Sequence, residues 1–490
     1  MGIRVGATRK YDYNRDHFDL PPRVVLTIPA TLPLETPLGR LESRADAVRA
    51  GKPLPPADIS VLERYAGIAE DAGDRWFEMA DIVVAAELVD RGFQLHRLAG
   101  DADCRRDELL LGDYSLVCAA ELATRYGLAE VEREFARAAM AASAGAEYEA
   151  HLVQAVTIAV SGPTGPPMEP ESLPPATITP VTVGEELAAI DTHLRTLVGR
   201  DPKLVREPMS GLLAAGGKRL RSVLAFVAST LGAEHDPVRA VTLATLVEFI
   251  HNATLVHDDL VDESPLRRGM PAIHLAYAPE VAVRVGDYYF GRAADLLASL
   301  DNPRATRLVV EAVADVCQAQ IEEFMQRGED HLDEAAYLRI VEGKTAALFA
   351  GACAAGAAVG GASDEVINAM HAYGRDLGIA FQMVDDVLDF APTSGKTVGQ
   401  DLRQKVTSLP LVYAGEDAAV RDRLAAMRSA SVFDAEAAVR LVAGCGGLDR
   451  ALARSRDYRD AALADLSPLP PGETRERLAR YAEFAIERRS

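Results

Sequence analysis

The stretch VTLATLVEFIHNATLVHDDLVDES (residues 241–264) decides the fold class of this chain. Its apolar residues recur at helical spacing and run directly into an acidic cluster. A second stretch, LGIAFQMVDDVLDF (377–390), repeats the arrangement. The acidic residues of the two stretches are Asp258, Asp259, Asp262, Asp385, Asp386 and Asp389. With the abundance of Ala and Leu along the chain, which favours helix over sheet, these patterns predict a mostly α-helical, all-α protein.

Composition agrees with this fold class and limits the function. The chain has 490 residues, more than one ordinary domain, with 49% hydrophobic and only 6% aromatic residues. A formal charge of −21 argues against a nucleic-acid partner, because phosphate backbones require a basic surface. The five cysteines form no C-x-x-C spacing and are interpreted as reduced thiols without structural zinc.

The sequence predicts a cytoplasmic protein without an integral membrane segment. The first residues, MGIRVGATRKYDYNRD, contain no apolar run of signal-peptide length. Residues 345–363 are free of charge but rich in Ala and Gly, which favours a closely packed buried helix over a membrane span.

The spacing of the aspartates indicates a metal site. Residues four apart lie on one face of a helix, so Asp258 pairs with Asp262 and Asp385 with Asp389. Like charges so placed destabilise a helix unless a cation lies between them, and Mg²⁺ shared with substrate phosphates suits carboxylate ligands. One such run is equally typical of a solvated helix end. Two runs, each continuing an apolar helix, favour the metal site.

Basic residues surround the two acidic runs. AGGKRLRS (215–222), SPLRRGMP (264–271) and EGKTAAL (342–348) each place cations or a hydroxyl near them. A single pair of basic residues usually lies on the solvent-exposed surface and has no binding role. Together, around two metal-binding motifs, they predict a diphosphate site.

These motifs, in this order, resemble the trans-isoprenyl diphosphate synthases, the all-helical polyprenyl synthetases, over residues 184–490. The matching motifs are GGKRLR, FIHNATLVHDDLVDES, LRRG, GDY, GKT, FQMVDDVLDF and GKTVGQDLRQ. The resemblance implies an isoprenoid synthase helical bundle that condenses isopentenyl diphosphate with an allylic diphosphate. It also implies a cluster of three Mg²⁺ ions and a dimer.

The resemblance assigns roles to individual residues. The isopentenyl diphosphate would be held by Lys218, Arg221, His251 and Arg268. The allylic diphosphate would meet Arg267 and a magnesium cluster on Asp258, Asp262, Asp385 and Asp389, with Asp259 and Asp386 completing the motifs. The remaining anion ligands would be Lys344, Thr345, Gln382 and Lys396. Two positions depart from the family pattern. Ser222 stands where the family has a proline. Val406 stands where the family has a lysine, and the lysine of this chain, Lys405, comes one residue earlier.

Product length is expected to depend on the apolar tunnel beneath the first motif. In the family a bulky aromatic five residues before the first aspartate stops the chain early, whereas this chain has Ala253. The small side chain favours products of C20 or longer. Phe249, about a turn deeper, is either the floor of the tunnel or an ordinary core aromatic.

The front of the chain divides into an irregular segment (1–54), a helical domain (55–160) and a proline-rich linker (161–182), followed by the catalytic domain (183–490). ELVDRGFQLHRL (87–98) aligns with EFIHNATLVHDD (248–259), and GDYSLVCAAEL (112–122) aligns with GDYYFGRAADL (286–296). The repeat predicts a degenerate copy of the catalytic fold, because Arg97 and Leu98 replace the first two aspartates. Shared Ala/Leu composition is the alternative.

The helical domain loosely resembles the non-catalytic small subunits of heteromeric synthases. It would therefore act as a pseudo-subunit, and the assembly would be a homodimer or a pseudo-heterodimer. Two other functions remain for the whole chain. A class I terpene cyclase would not need the residues assigned to isopentenyl diphosphate, and a silent regulatory subunit would be expected to lose acidic residues that this chain keeps.

Overall fold

The computed structural model describes residues 37–50, 52, 54–70, 76–100, 106–126, 128–161, 183–327, 333–390, 407–428 and 434–487. Within these ranges the fold is all-α, as predicted, apart from a hairpin of β1 (Leu266–Arg267) and β2 (Met270–Pro271). The front part, residues 37–161, comprises α1 (Pro37–Arg49), α2 (Ile59–Glu70), α3 (Trp76–Ala99), α4 (Arg106–Thr124), α5 (Ala129–Ser143) and α6 (Glu149–Ser161). We call it the N-terminal half.

The C-terminal half, residues 183–487, carries the two acidic motifs. Its helices are α7 (Val183–Arg200), α8 (Lys203–Ala214), α9 (Leu220–Ser229), α10 (Pro237–Val261), α11 (Ile273–Ala276), α12 (Pro279–Ser299), α13 (Pro303–Gln326), α14 (Glu334–Val341), α15 (Ala347–Val359), α16 (Asp364–Leu388), α17 (Leu409–Gly415), α18 (Ala418–Arg428), α19 (Ala435–Gly444), α20 (Gly447–Asp465) and α21 (Glu473–Glu487). A π-helical turn (Glu342–Ala346) joins α14 to α15.

Helix α1 corrects the prediction that residues 1–54 are irregular. The helix carries few apolar residues, but Leu41 and Ala45 lie four apart on one face and are fully buried. Arg49 at its end forms an ion pair with the buried Glu87 of α3. Tertiary packing therefore stabilises this helix, which lacks the periodic apolar residues that would have predicted it from the sequence. The predicted linker, apart from Ser161 at the end of α6, lies outside the described residues.

The motif helices begin at strong capping residues. Asp236 accepts a hydrogen bond from the Val238 backbone N–H at 2.8 Å to start α10, and Ser363 caps α16 in the same way. Both helices run through buried surroundings to their acidic ends. The uncharged stretch 345–363 contains α15, which is closely packed and buried as predicted, and no described helix is both long enough and apolar enough to span a bilayer.

The two halves pack through α3, α4 and α5 of the first against α10, α12 and α13 of the second. At this seam the repeated motifs meet reciprocally. His96 Nδ1 lies 2.6 Å from Asp287 Oδ1, and His257 Nδ1 lies 3.0 Å from both carboxylate oxygens of Asp113. The other ring nitrogens lie 3.2 Å and 3.1 Å from the carbonyl oxygens of Leu109 and Val283, which occupy equivalent positions. Each histidine thus contacts the aspartate of the opposite half.

The Gly-Asp-Tyr match has a steric reason in both halves. A Cβ at Gly112 would lie 2.2 Å from the ring of His96, and a Cβ at Gly286 would lie 2.0 Å from the ring of His257. Glycine makes room for the histidine of its own half, while the next residue reaches the histidine of the other half. The sequence repeat therefore coincides with an approximate two-fold arrangement of contacts at the seam.

This seam predicts a specific pH dependence of stability. Burial alone would lower the pKa of His96, but the charges of Asp287 and Asp113 raise it from 6.5 to about 10. Because the folded-state pKa is the higher one, the stabilisation is complete below about pH 6.5 and is lost as the pH rises towards 10. Chemical denaturation at several pH values should therefore show the unfolding free energy of the wild type falling more steeply over this range than that of His96→Gln. Parallel curves would contradict the assignment.

Candidate active site

Both acidic motifs occupy the C-terminal turns of their helices. Asp262 is the C-cap of α10, and Asp389 is the C-cap of α16. The C-terminus of a helix carries partial negative charge, so carboxylates are unfavourable there and cations are favourable. The placement costs stability unless a cation is bound, and it fits a metal site better than a structural role.

The first motif has an excess of negative charge. Desolvation, together with the charges of Asp262 and Glu323, raises the pKa of Asp258 to about 7, although the charge of Lys344 opposes this shift. Asp262 forms an ion pair with Arg327, and Lys344 forms one with Glu323. A crowded, partly desolvated set of hard oxygen ligands fits a divalent cation, which would hold these carboxylates ionised.

The middle aspartate of each motif is engaged within the protein. Arg267 Nε donates to both carboxylate oxygens of Asp259 at 3.0 Å. Asp386 accepts hydrogen bonds from Gln382 Nε2 at 2.8 Å, Tyr337 Oη at 2.7 Å and the Leu409 backbone N–H at 2.9 Å. Both carboxylates are buried, and burial raises the pKa of Asp386 to about 7. We infer that they position the motifs, whereas the outer aspartates, 258, 262, 385 and 389, are half-buried candidates for ligands.

The π-helical turn connects the two motifs. Its Lys344 lies near Asp258 and Asp262, whereas the hydroxyl of the next residue, Thr345, donates to Gln382 Oε1 of α16 at 2.9 Å. Gly343 lets the turn lie against α13, because a Cβ there would be 2.5 Å from Ala319 Cβ. π-Helical turns often occur at functional sites. Here the turn places a cation beside one motif and a hydroxyl beside the other.

A basic patch lies next to the first motif. The half-buried His251 has its pKa lowered well below 6.5, first by burial and then by the charges of Arg221, Arg268 and Arg267. The Arg221 guanidinium lies 4.2 Å from the centre of the Phe349 ring. The predicted cations therefore converge around a neutral histidine, an arrangement that suits an anion.

Backbone geometry brings the GGKRLR segment against this patch. A Cβ at Gly217 would lie 3.1 Å from an Arg268 guanidinium nitrogen, so glycine allows that approach, and Lys218 follows it in the chain as an exposed residue. Arg219 points inward and pairs with the buried Glu248. Ser222, where the family has proline, donates to the second oxygen of Glu248 at 2.9 Å. Serine at this position therefore adds a hydrogen bond to Glu248 that helps to hold the GGKRLR segment in place.

The structure also contributes residues that the sequence patterns did not identify. Glu323 and Arg327 flank the first motif, and Tyr337 holds Asp386. In the sequence, only the four-residue spacing of Glu323 and Arg327 indicates that these residues interact, and such pairs are common on helix surfaces. Lys396, Lys405 and Val406 lie outside the described residues.

The two predicted chain-length residues are both fully buried on α10. The Phe249 ring packs 5.1 Å from the ring of Tyr289. An apolar cavity lies between α4 and α5 of the N-terminal half and α10, α12 and α13 of the C-terminal half. Neither Phe249 nor Ala253 lines this cavity, whereas Ile250 of the same helix does.

Comparisons with known proteins identify the family of this chain. The polyprenyl synthetase family model matches residues 202–442. The chain is 34% identical to heptaprenyl diphosphate synthase component 2 of Geobacillus stearothermophilus, over 62% of this chain and 97% of that protein. It is 32% identical to octaprenyl diphosphate synthase of Escherichia coli, over 62% of this chain and 96% of that protein.

Solved structures give the same result. A polyprenyl synthase from Caulobacter crescentus, crystallised with calcium and isoprenyl diphosphate, is 35% identical with a TM-score of 0.59, over 63% of this chain and 96% of that one. A decaprenyl diphosphate synthase from Rhodobacter capsulatus is 34% identical with a TM-score of 0.58, over 62% of this chain and 96% of that one. With two acidic helix ends joined by the Lys344–Thr345 turn and a basic patch beside the first of them, the chain belongs to the polyprenyl synthetase family and is a prenyltransferase.

Proposed function

We propose that this chain condenses isopentenyl diphosphate with an allylic diphosphate to make all-trans polyprenyl diphosphates of C20 or longer. The observation that carries the proposal is the placement of two acidic motifs at helix C-termini, joined by the Lys344–Thr345 turn and adjoining the patch around His251. One substrate would bind through metal ions and the other through cations alone.

The outer aspartates are proposed to hold the metal, as three Mg²⁺ ions. Among the described residues, the carboxylates of the two motifs do not form one cluster of three or more ligand atoms within 4.8 Å. The aspartates alone would therefore not complete the ligand shell of these ions, and Mg²⁺ commonly takes further oxygen ligands from substrate phosphates. When bound, Mg²⁺ neutralises the charge that develops on the departing diphosphate.

The protein's own groups supply the rest of the chemistry. Arg267, Lys344 and Thr345, with Gln382, would orient the allylic diphosphate, and their charges and dipoles favour its departure. Lys218, Arg221, His251 and Arg268 would hold the diphosphate of isopentenyl diphosphate, so that its double bond faces the allylic carbon. The apolar interior would exclude water from the allylic cation. The double bond of isopentenyl diphosphate would add to this cation to form the new carbon–carbon bond, and the resulting cation would lose a proton to the departed diphosphate to restore a double bond.

Product analysis tests this proposal against the alternatives. The purified chain would be incubated with dimethylallyl, geranyl, farnesyl or geranylgeranyl diphosphate, each with and without isopentenyl diphosphate, in Mg²⁺ or in chelator. We expect longer prenyl diphosphates only when both substrates and the metal are present. Hydrocarbons from an allylic diphosphate alone would indicate a terpene cyclase. No product from a folded chain would indicate a regulatory subunit.

We further propose that the N-terminal half occupies the place of a second subunit, which makes the chain a pseudo-heterodimer. The reciprocal His–Asp contacts at the seam support this proposal, because an exchange of equivalent contacts is what a two-fold dimer interface contains. The relative named component 2 is itself one part of a synthase by its name. Light scattering should give the mass of one chain, and a stable dimer through the same seam would contradict the proposal.

A further inference from the structure

The chain leaves the first acidic motif through a turn whose backbone conformation is unfavourable for its residue. Asp262, the C-cap of α10, is followed by Glu263, which has a φ angle of 50°. This angle lies in the left-handed region, where the Cβ atom of an L-residue crowds the following carbonyl oxygen. A residue keeps such a conformation only where the surrounding structure holds it there. The turn therefore depends on contacts made by Glu263.

The segment that follows this turn carries two of the proposed diphosphate ligands. We call residues 262–272 the motif loop. Its β1–β2 hairpin contains Arg267, which pairs with Asp259, and Arg268, whose guanidinium approaches Gly217 of the GGKRLR segment. Because a rotation of the backbone at Glu263 would move the hairpin relative to α10, the turn determines where both arginines lie beside the motif.

A side chain of the N-terminal half contacts this turn. Arg106, the first residue of α4, forms an ion pair with Glu263. The Arg106 side chain is 32% exposed, so it is partly covered at the seam. Burial lowers the pKa of His274, just beyond the end of the motif loop, and the charge of Arg106 lowers it further. Arg106 therefore lies within electrostatic reach of both ends of the motif loop.

The position of Arg106 is unfavourable for its own helix and favourable for α10. The N-terminus of a helix carries partial positive charge, so an arginine in the first turn does not stabilise α4. The C-terminus of α10 carries partial negative charge, to which its aspartates add. From the C-terminal half, Arg327 of α13 pairs with Asp262. The acidic end of α10 thus receives one arginine from each half of the chain.

We propose that Arg106 is a positioning residue of the active site: its ion pair with Glu263 holds the motif loop in the arrangement that binds the diphosphates. The inference rests on the proposed prenyl transfer. A partly exposed ion pair contributes little to the stability of a whole chain, so the effect is on the motif loop and not on folding. The N-terminal half, which lacks the two leading aspartates of the motif, thereby completes the active site of the other half.

A double-mutant cycle on the full chain tests the coupling. Arg106→Gln and Glu263→Gln should each raise the KM for the allylic diphosphate about fivefold, the upper range for a partly exposed ion pair. The change in kcat should be smaller, because the bound diphosphate itself holds the loop arginines. The double variant should be no worse than either single variant, since both remove the same interaction. Arg64→Gln, at an exposed position on α2 of the same half, is the control and should keep the wild-type constants.

A further variant separates the shape of the turn from its charge. Glycine adopts the left-handed region without strain, so Glu263→Gly should recover part of the affinity that Glu263→Gln loses. In the glycine background, Arg106→Gln should have little further effect on KM. A fivefold loss from Arg106→Gln in that background would show that the arginine does not act through the turn.

Hydrogen exchange measures the motif loop without any substrate. Peptides that cover residues 262–272 should exchange faster in Arg106→Gln than in the wild type, whereas peptides from α16 should be unchanged. Additive effects in the double variant, or wild-type exchange in the loop of folded Arg106→Gln, would overturn the inference and leave prenyl transfer intact. If the wild-type chain made no prenyl diphosphate, the proposed function would fall, and the role of Arg106 in it would fall as well.

Discussion

Asp258→Asn is expected to lower kcat for prenyl transfer by at least about 10²- to 10³-fold, the effect of removing one group that stabilises developing charge. The substitution replaces a carboxylate that we propose as a metal ligand by a neutral amide, at a helix end where Asp262 and Glu323 lie close by. The metal would lose a ligand, and the negative charge that develops on the departing diphosphate would no longer be fully neutralised by the metal. Initial rates at saturating substrates measure the effect, with circular dichroism to verify folding.

Asp385→Asn should cause a comparable loss, and the double variant should lose much less than the product of the two effects. Groups that act as one unit show such non-additivity. Asp422→Asn, at an exposed aspartate on α18, is the matched control and should keep the wild-type rate. Full activity of folded Asp258→Asn would remove this carboxylate from the metal site.

Asp113→Leu is expected to lower the free energy of unfolding by about 3–5 kcal/mol, because it leaves a buried histidine without its counter-ion. His257 lies 3.0 Å from both oxygens of this aspartate, and burial hides both groups from water. The charges of His257 and His96 together hold the pKa of Asp113 well below its usual range, despite its burial. Chemical denaturation at neutral pH measures the change.

The paired variant Asp113→Leu with His257→Leu should recover part of the loss, since replacing a whole buried ion pair by apolar groups is often nearly neutral. Asp107→Asn in the first turn of the same helix is the control, with an expected change of about 0.3–1 kcal/mol from the helix dipole. Equal losses for Asp113→Leu and Asp107→Asn would show that the seam does not depend on this ion pair.

The sequence predicted the motif helices well because two signals coincide there. Apolar periodicity and an acidic ending agree for α10 and α16, and the structure adds a capping residue at the start of each. The same reasoning missed α1, because its stability comes from the burial of two side chains and the Arg49–Glu87 ion pair, which only tertiary packing reveals.

Contacts between distant segments limited the prediction of the site. The repeat identified His96 and His257 as equivalents, but not that each would meet the aspartate of the other half. Likewise, no pattern indicated that Arg327 would pair with Asp262, 65 residues away in the chain. Which aspartate of a motif faces inward depends on the side chains packed against it. For Asp386 these are Tyr337 and Gln382.

The most direct test of prenyl transfer is the incorporation of radiolabelled isopentenyl diphosphate by the purified full-length chain. The label should enter organic-soluble material after dephosphorylation, only with an allylic diphosphate and a divalent metal, and the labelled alcohols should be C20 or longer. A folded, metal-supplemented chain that incorporates no label with any of the four allylic diphosphates would contradict the account.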